Sequence, residues 1–67
     1  MKQHPGLIIR RTRRAIEMTM TELGHCIGRS KGYMSRFERG RIASSPSEIA
    51  QMKSAMTAHR RAVRGGA

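Results

Sequence analysis

Tryptophan is missing from this chain, and tyrosine, phenylalanine and cysteine occur once each, as Tyr33, Phe37 and Cys26. So little aromatic bulk disfavours a β-sandwich and suits a compact helical domain with an aliphatic and methionine core, for which six methionines are available. A lone cysteine closes no disulfide within the chain and fits a reducing compartment. No metal site is expected, because Cys26 adjoins His25 and neighbouring helical side chains point about 100° apart. His4 and His59 lie near the two ends without paired ligand spacing. No apolar run approaches the roughly 20 residues that a membrane span needs, and no charged start followed by an apolar block marks a secretory leader. The expectation is a cytosolic chain with no membrane partner.

Acid is the other scarcity. Against 14 Lys and Arg stand four carboxylates, giving a formal net charge of +10. Glu17 falls at a helix end, Glu22 and Glu48 in helix caps and Glu38 beside an apolar stripe, so no carboxylate is left over to act as a base. An enzyme is therefore not expected, and no cofactor is called for. The positive excess is far more than solubility asks of a small domain and points to a polyanionic partner. Nucleic acid fits better than an acidic membrane surface, because the few apolar positions are needed for the core. At 67 residues there is room for one domain that hides roughly 60 per cent of its unfolded surface.

The stretch Met20–Gly40 organises the rest. Leu23 and Ile27 share one face of a first short helix, about 20–27, and Met34 and Phe37 share one face of a second, about 31–39. Gly28 between them is free to take positive φ and end the first helix, and Ser30 can cap the second. The pattern is a helix-turn-helix. Gly24 weakens its helix and predicts a close crossing by the next one. The second helix opens against its own stability, with Lys31 where the helix dipole prefers an anion and Gly32 in the first turn. Both choices suit an end that meets a polyanion at short range, and Tyr33 and Arg36 extend the same outward face.

Around this motif, Met1–Gly6 reads as a flexible arm, residues 7–58 as the domain and residues 59–67, HRRAVRGGA, as a fraying basic tail. Helix 1 is expected from Gly6 or Leu7 to Glu17, with Ile9, Thr12, Ile16 and Leu7 inward and Arg10, Arg11 and Arg14 outward. Arg13 falls at the margin of the buried face. Thr19-Met20-Thr21-Glu22 is a capping box that starts helix 2, and Gly40 stops helix 3. Ser45-Pro46-Ser47-Glu48 is a second box, opening a helix 4 that buries Ile49, Met52 and Met56.

From Thr19 to Gly40, and more broadly from Leu7 to Met56, the chain resembles the helix-turn-helix domains of phage Cro- and C1-type repressors and their bacterial relatives. The carrying residues are Thr19 to Leu23, Ile27-Gly28, Ser30, Tyr33 to Arg36 and Glu38-Arg39-Gly40. The resemblance implies an all-α, small lambda-repressor-like domain of four or five helices, and the sequence shows four of the usual five. It implies that Lys31, Gly32, Tyr33 and Arg36 face bases in the major groove of double-stranded DNA. Phosphate contacts would fall to Arg10, Thr19, Met20, Thr21, Ser30, Ser35, Arg39 and Arg41, and Arg13 would pair with Glu38. Met20 stands where relatives carry a phosphate-gripping glutamine, Arg29 replaces an apolar turn residue and Glu17 replaces a glycine. The implied function is a transcriptional regulator, a repressor of phage, plasmid or related origin, at work in the bacterial cytosol. It would read a pseudo-palindrome as a homodimer, at least on DNA. Two alternatives remain: an antitoxin-like module with a protein partner that also touches DNA, and a nonspecific nucleic-acid-coating protein.

Overall fold

A computed structural model describes residues 4–65, with side chains described as far as Ala62. Four helices follow one another: α1 Pro5–Ala15, α2 Met20–Ile27, α3 Lys31–Glu38 and α4 Pro46–Gly65. The class is all-α and small, as expected from the composition. α2 packs on α3 and α4, and α1 packs on α3 and α4, so the four helices enclose one core. That core is Ile9, Met18, Leu23, Met34, Phe37, Met52 and Met56. Four of the seven are methionines, whose unbranched side chains fill the irregular space between short helices.

α1 starts earlier than its pattern suggested, and three of the six residues assigned to a flexible arm belong to it or cap it. His4 sits at the N-cap, where its Nδ1 accepts from the Leu7 amide at 3.1 Å, and Pro5 occupies the first helical position. Gly6 is buried, and a Cβ there would lie 1.9 Å from the Phe37 carbonyl oxygen. Only glycine lets this first turn of α1 rest on the backbone of α3. The remainder of the expected arm, residues 1–3, lies outside the described residues. The buried row of α1 is Gly6, Ile9 and Arg13, and Thr12 is exposed, its hydroxyl donating to the Ile8 carbonyl at 3.0 Å. Thr12 is thus not part of the inward stripe, which runs i, i+3, i+7 through Arg13 instead.

α1 ends at Ala15 rather than Glu17. The Met18 amide donates to the Arg13 carbonyl at 3.0 Å and the Glu17 amide to the Arg14 carbonyl at 3.1 Å, with Glu17 at φ 57°. This is a left-handed helix stop of the kind glycine ordinarily fills, adopted here by a residue that pays a steric penalty for it. α2 has the expected bounds. Its capping box is complete: the Glu22 amide donates to Thr19 Oγ1 at 3.0 Å and the Thr19 amide to Glu22 Oε1 at 2.9 Å. Gly28 closes α2 at φ 71°, and Gly24 is buried where a Cβ would come within 2.6 Å of the Arg29 carbonyl and 3.2 Å of Met34 Cγ.

α3 ends one residue short of expectation, at Glu38, with Arg39 as its cap and Gly40 at φ 78°. α4 differs most, because its helix continues beyond residue 58 to Gly65. The segment from His59 to Gly65 therefore extends α4 rather than fraying, since nothing from Pro46 to Val63 breaks a helix. Residues 66–67 of the expected tail lie outside the described residues. Among the described residues no helix is long and apolar enough to cross a membrane.

Arg13 ties these pieces together. Its Nε and Nη2 donate to Glu38 Oε2 and Oε1, each at 2.9 Å, and its Nη1 donates to the Met18 carbonyl at 2.7 Å. The two side chains are only 10 and 3 per cent exposed. The charges are compensated in place, and removing one would leave the other buried alone. Glu38→Gln should therefore cost about 3 to 5 kcal/mol. A denaturant midpoint like the parent's would contradict this account of the core.

The α2 cap makes a second test possible. The Thr19 amide, and then its hydroxyl, hold the Glu22 carboxyl below its ordinary value of 4.5. A carboxyl that binds its proton more weakly folded than unfolded stabilises the fold above that value and stops doing so as pH falls through the lowered one. The melting temperature of the parent should fall on acidification below pH 4.5, and Glu22→Gln should flatten part of that fall. Parallel acid profiles for the two proteins would rule the cap out as a contributor.

Candidate nucleic-acid interface

The outward side of α3 carries cations that nothing in the fold uses. Lys31 and Arg36 are exposed, and among the described residues neither side chain makes a hydrogen bond or an ion pair. Arg36 lies back along its helix, so that a Cβ added at Gly32 would be 3.8 Å from its Nη1. Side chains on a helix lean toward its N-terminus, which brings the Arg36 fork over the first turn beside Lys31. Gly32 itself is open, with nothing nearer to such a Cβ than 3.8 Å. The Ser30 hydroxyl accepts from the Tyr33 amide at 3.1 Å and so caps α3. Amides at the start of α3 are left facing outward with two cations around them, a setting that favours an anion.

A basic band runs from this end across the molecule. One shallow cleft is bordered by Lys31, by Thr19, Met20 and Thr21 at the start of α2, and by Arg13, Arg14, Glu17 and Met18. A second, of about 360 Å³, lies between α1 and α3 and is bordered by Arg10, Arg13, Arg14, Met20, Ser35, Glu38 and Arg39. The two share Arg13, Arg14 and Met20. The Arg13–Glu38 pair forms the floor of the second, while Arg10, Arg14 and Arg39 are exposed around it. Of the expected phosphate-contacting residues, Arg10, Thr19, Met20, Thr21, Ser35 and Arg39 are thus brought onto one continuous surface. Ser30 is committed to its cap. Arg41 lies apart, on a groove beside His4, Phe37 and Ile42. Arg14, outward on α1 and outside the expected phosphate-contacting set, belongs to the band as well. Its place four residues after Arg10, on the same helix face, was the available signal.

Tyr33 is not a free base-facing side chain. It is half-buried, its ring packs against the core, and its hydroxyl lies 2.6 Å from Ser44 Oγ and 3.4 Å from Glu48 Oε1. The Arg29 guanidinium stands over the ring, 4.6 Å from its centroid. An aromatic ring beside the core is held there by apolar burial, and its hydroxyl then takes the nearest partners. Glu48 also departs from expectation. Its amide donates to Ser45 Oγ at 3.1 Å, completing only half of the second capping box, while its carboxylate receives Arg29 Nε at 2.8 Å and Nη2 at 2.9 Å. The Arg29 fork holds the Glu48 carboxyl below its ordinary value. Sequence reasoning missed this contact, because Arg29 and Glu48 are 19 residues apart.

Three of the four carboxylates are thereby engaged: Glu22 by Thr19, Glu38 by Arg13 and Glu48 by Arg29. Each is tied to a different part of the fold, and no two of them converge on a common space. Cys26 is exposed, and no group of three metal-ligating side chains occurs among the described residues.

Gly32 separates folding from binding in one experiment. An alanine there meets no obstacle in the fold, so Gly32→Ala should stabilise α3 by up to about 1 kcal/mol, and if this helix end lies against a duplex, as the resemblance implies, the added methyl should weaken binding to it. Thermal melts and fluorescence anisotropy on the two proteins decide it. Undiminished DNA affinity in a stabilised variant would remove Gly32 from the interface.

Comparisons of the chain with protein-family models, with curated proteins and with solved structures returned no match.

Proposed function

We propose that this chain is a sequence-specific DNA-binding transcriptional regulator, with α3 in the major groove of a duplex and the basic band along the sugar-phosphate backbone. The observation that carries the reading is the start of α3. Lys31 and Arg36 lie around an open Gly32 on an exposed helix end, without partners among the described residues and without use to the fold. Arginine offers two donors to the O6 and N7 acceptors of guanine, so Arg36 is assigned to a G in each half-site, with Lys31 beside it. Arg10, Arg14 and Arg39 are assigned to phosphate, which sets register and affinity but not sequence. Repression, rather than activation, follows from the resemblance to Cro- and C1-type repressors alone. Two copies would lie on a pseudo-palindrome with half-site centres about 34 Å apart.

A second reading, a module that also docks a protein partner, has one observation in its favour. Among the described residues Ile8 is the large apolar side chain left exposed, at 47 per cent, and it borders a groove between α1 and α4 with Ile16 and Met56. The third reading, a nonspecific coat, needs only the charge.

Selection of duplexes from a random pool at physiological salt tests the main reading, because an enriched palindrome is expected and an unenriched pool would favour the coat. On the enriched duplex, Arg36→Ala should cost about 1 to 3 kcal/mol per half-site and far less on scrambled DNA. Arg39→Ala should weaken both duplexes alike and lower the salt slope by about one unit. Equal losses on both DNAs for Arg36→Ala would sink its assignment to a base.

A further inference from the structure

We propose that the Arg29–Glu48 pair is a selectivity device: it fixes the attitude of α3 and withholds the Arg29 cation from DNA phosphate. The inference rests on the DNA-binding reading above and concerns residues that take no part in contacting bases. Arg29 occupies the turn itself, between Gly28, which ends α2, and Ser30, which caps α3. Its backbone carbonyl is pressed to within 2.6 Å of where a Gly24 Cβ would stand, and its amide donates to the Gly24 carbonyl at 2.8 Å. Its side chain reaches the other way. Both prongs of the guanidinium engage Glu48 in the first turn of α4, at 2.8 and 2.9 Å, and the same plane lies over the Tyr33 ring. Tyr33 in turn reaches Ser44 and Glu48 through its hydroxyl. Arg29 thus links the turn after α2 to the first turn of α3 and the start of α4, and Tyr33 extends the link to the α3–α4 loop at Ser44.

The exposures argue that fold stability is not the main consequence. The Arg29 side chain is 46 per cent exposed and that of Glu48 19 per cent, and an ion pair so open to water contributes little to stability. What it does contribute is geometry. A bidentate arginine–carboxylate contact with an added stacking surface fixes direction as well as distance, and base reading needs a helix held to a fraction of an ångström. It also sets charge. Arg29 lies next to the anion-favouring start of α3, exposed enough to meet a phosphate, and an unpaired arginine there would strengthen binding to every duplex regardless of sequence. Glu48 gives that cation a partner inside the protein. Selectivity is a difference of two affinities, and a carboxylate that lowers the nonspecific one raises the difference.

The test measures affinity and its salt dependence on two probes, the duplex enriched by the parent chain and a scrambled duplex of the same length. Glu48→Gln should raise affinity for the scrambled duplex, steepen its salt slope by about one unit and lower the enriched-to-scrambled ratio by about tenfold, with the protein still folded. The double variant Arg29→Gln, Glu48→Gln removes both charges. Its salt slope should return to the parent's while the ratio stays low, because the link is gone. A structural role alone would weaken both duplexes in step with the melting temperature and leave the ratio unchanged, and that result overturns the proposal. So does an unchanged slope in Glu48→Gln. A parent chain that enriches no sequence at all defeats the DNA-reading assignment first and this inference with it, whereas an enriching parent with a ratio-neutral Glu48→Gln defeats the inference alone.

Discussion

The Arg13 guanidinium is the constraint on which the arrangement of helices depends. Its three bonds reach the carboxylate of Glu38 near the end of α3 and the carbonyl of Met18 in the turn that leads to α2. A buried guanidinium tolerates few positions, since each donor must find an acceptor in the same plane. α1, the approach to α2 and α3 are accordingly fixed relative to one another by a single side chain. The hydrophobic core then fills what that framework encloses. In a chain this small, apolar burial alone leaves a thin margin.

Glycine decides how closely the helices approach this framework. Gly6 brings the first turn of α1 onto the Phe37 carbonyl, and Gly24 brings α2 against the Arg29 carbonyl and Met34. These contacts hold α3 from both sides while its outer surface stays uncovered. At Gly32 on that surface a Cβ would meet only the Arg36 and Ser30 side chains, at an unstrained 3.8 Å, which distinguishes it from the two packing glycines by geometry rather than by residue type. The cations divide in a similar way. Arg13 is neutralised inside the fold and Arg29 at its surface by Glu48, whereas Lys31, Arg36, Arg10, Arg14 and Arg39 are exposed without a carboxylate partner among the described residues.

Features written into neighbouring residues were the legible ones. The Thr19–Glu22 box, the Gly28 and Gly40 stops and the Ser30 cap each depend on side chains within four positions of one another, and the helices they bound lie within one residue of where those signals put them. The Arg13–Glu38 pair was also legible, through the family resemblance and the apolar stripes beside both residues. What escaped depends on distance or on the absence of a local signal. Tyr33 looked outward by helical spacing, yet the Arg29–Glu48 contact that encloses it joins residues 19 positions apart. Gly6 looked like part of an arm because its reason, the Phe37 carbonyl, is 31 positions away. Thr12 had the right period but a hydroxyl that finds its own helix backbone at Ile8. α4 runs on to Gly65 because a basic composition reads as a tail only where some residue also stops the helix, and none does before Gly65.

The methionine core carries a chemical consequence of its own. Met18, Met34, Met52 and Met56 are between 0 and 4 per cent exposed, so a peroxide in solution reaches their thioethers only when the chain opens. A sulfoxide formed during such an opening is polar and chiral and does not fit back among Ile9, Leu23 and Phe37. Each excursion in the presence of oxidant therefore risks becoming permanent until a reductase repairs it. The rate at which these four sulfurs oxidise becomes a clock for spontaneous unfolding, and the working lifetime of the protein under oxidative stress is tied to how seldom its helices part.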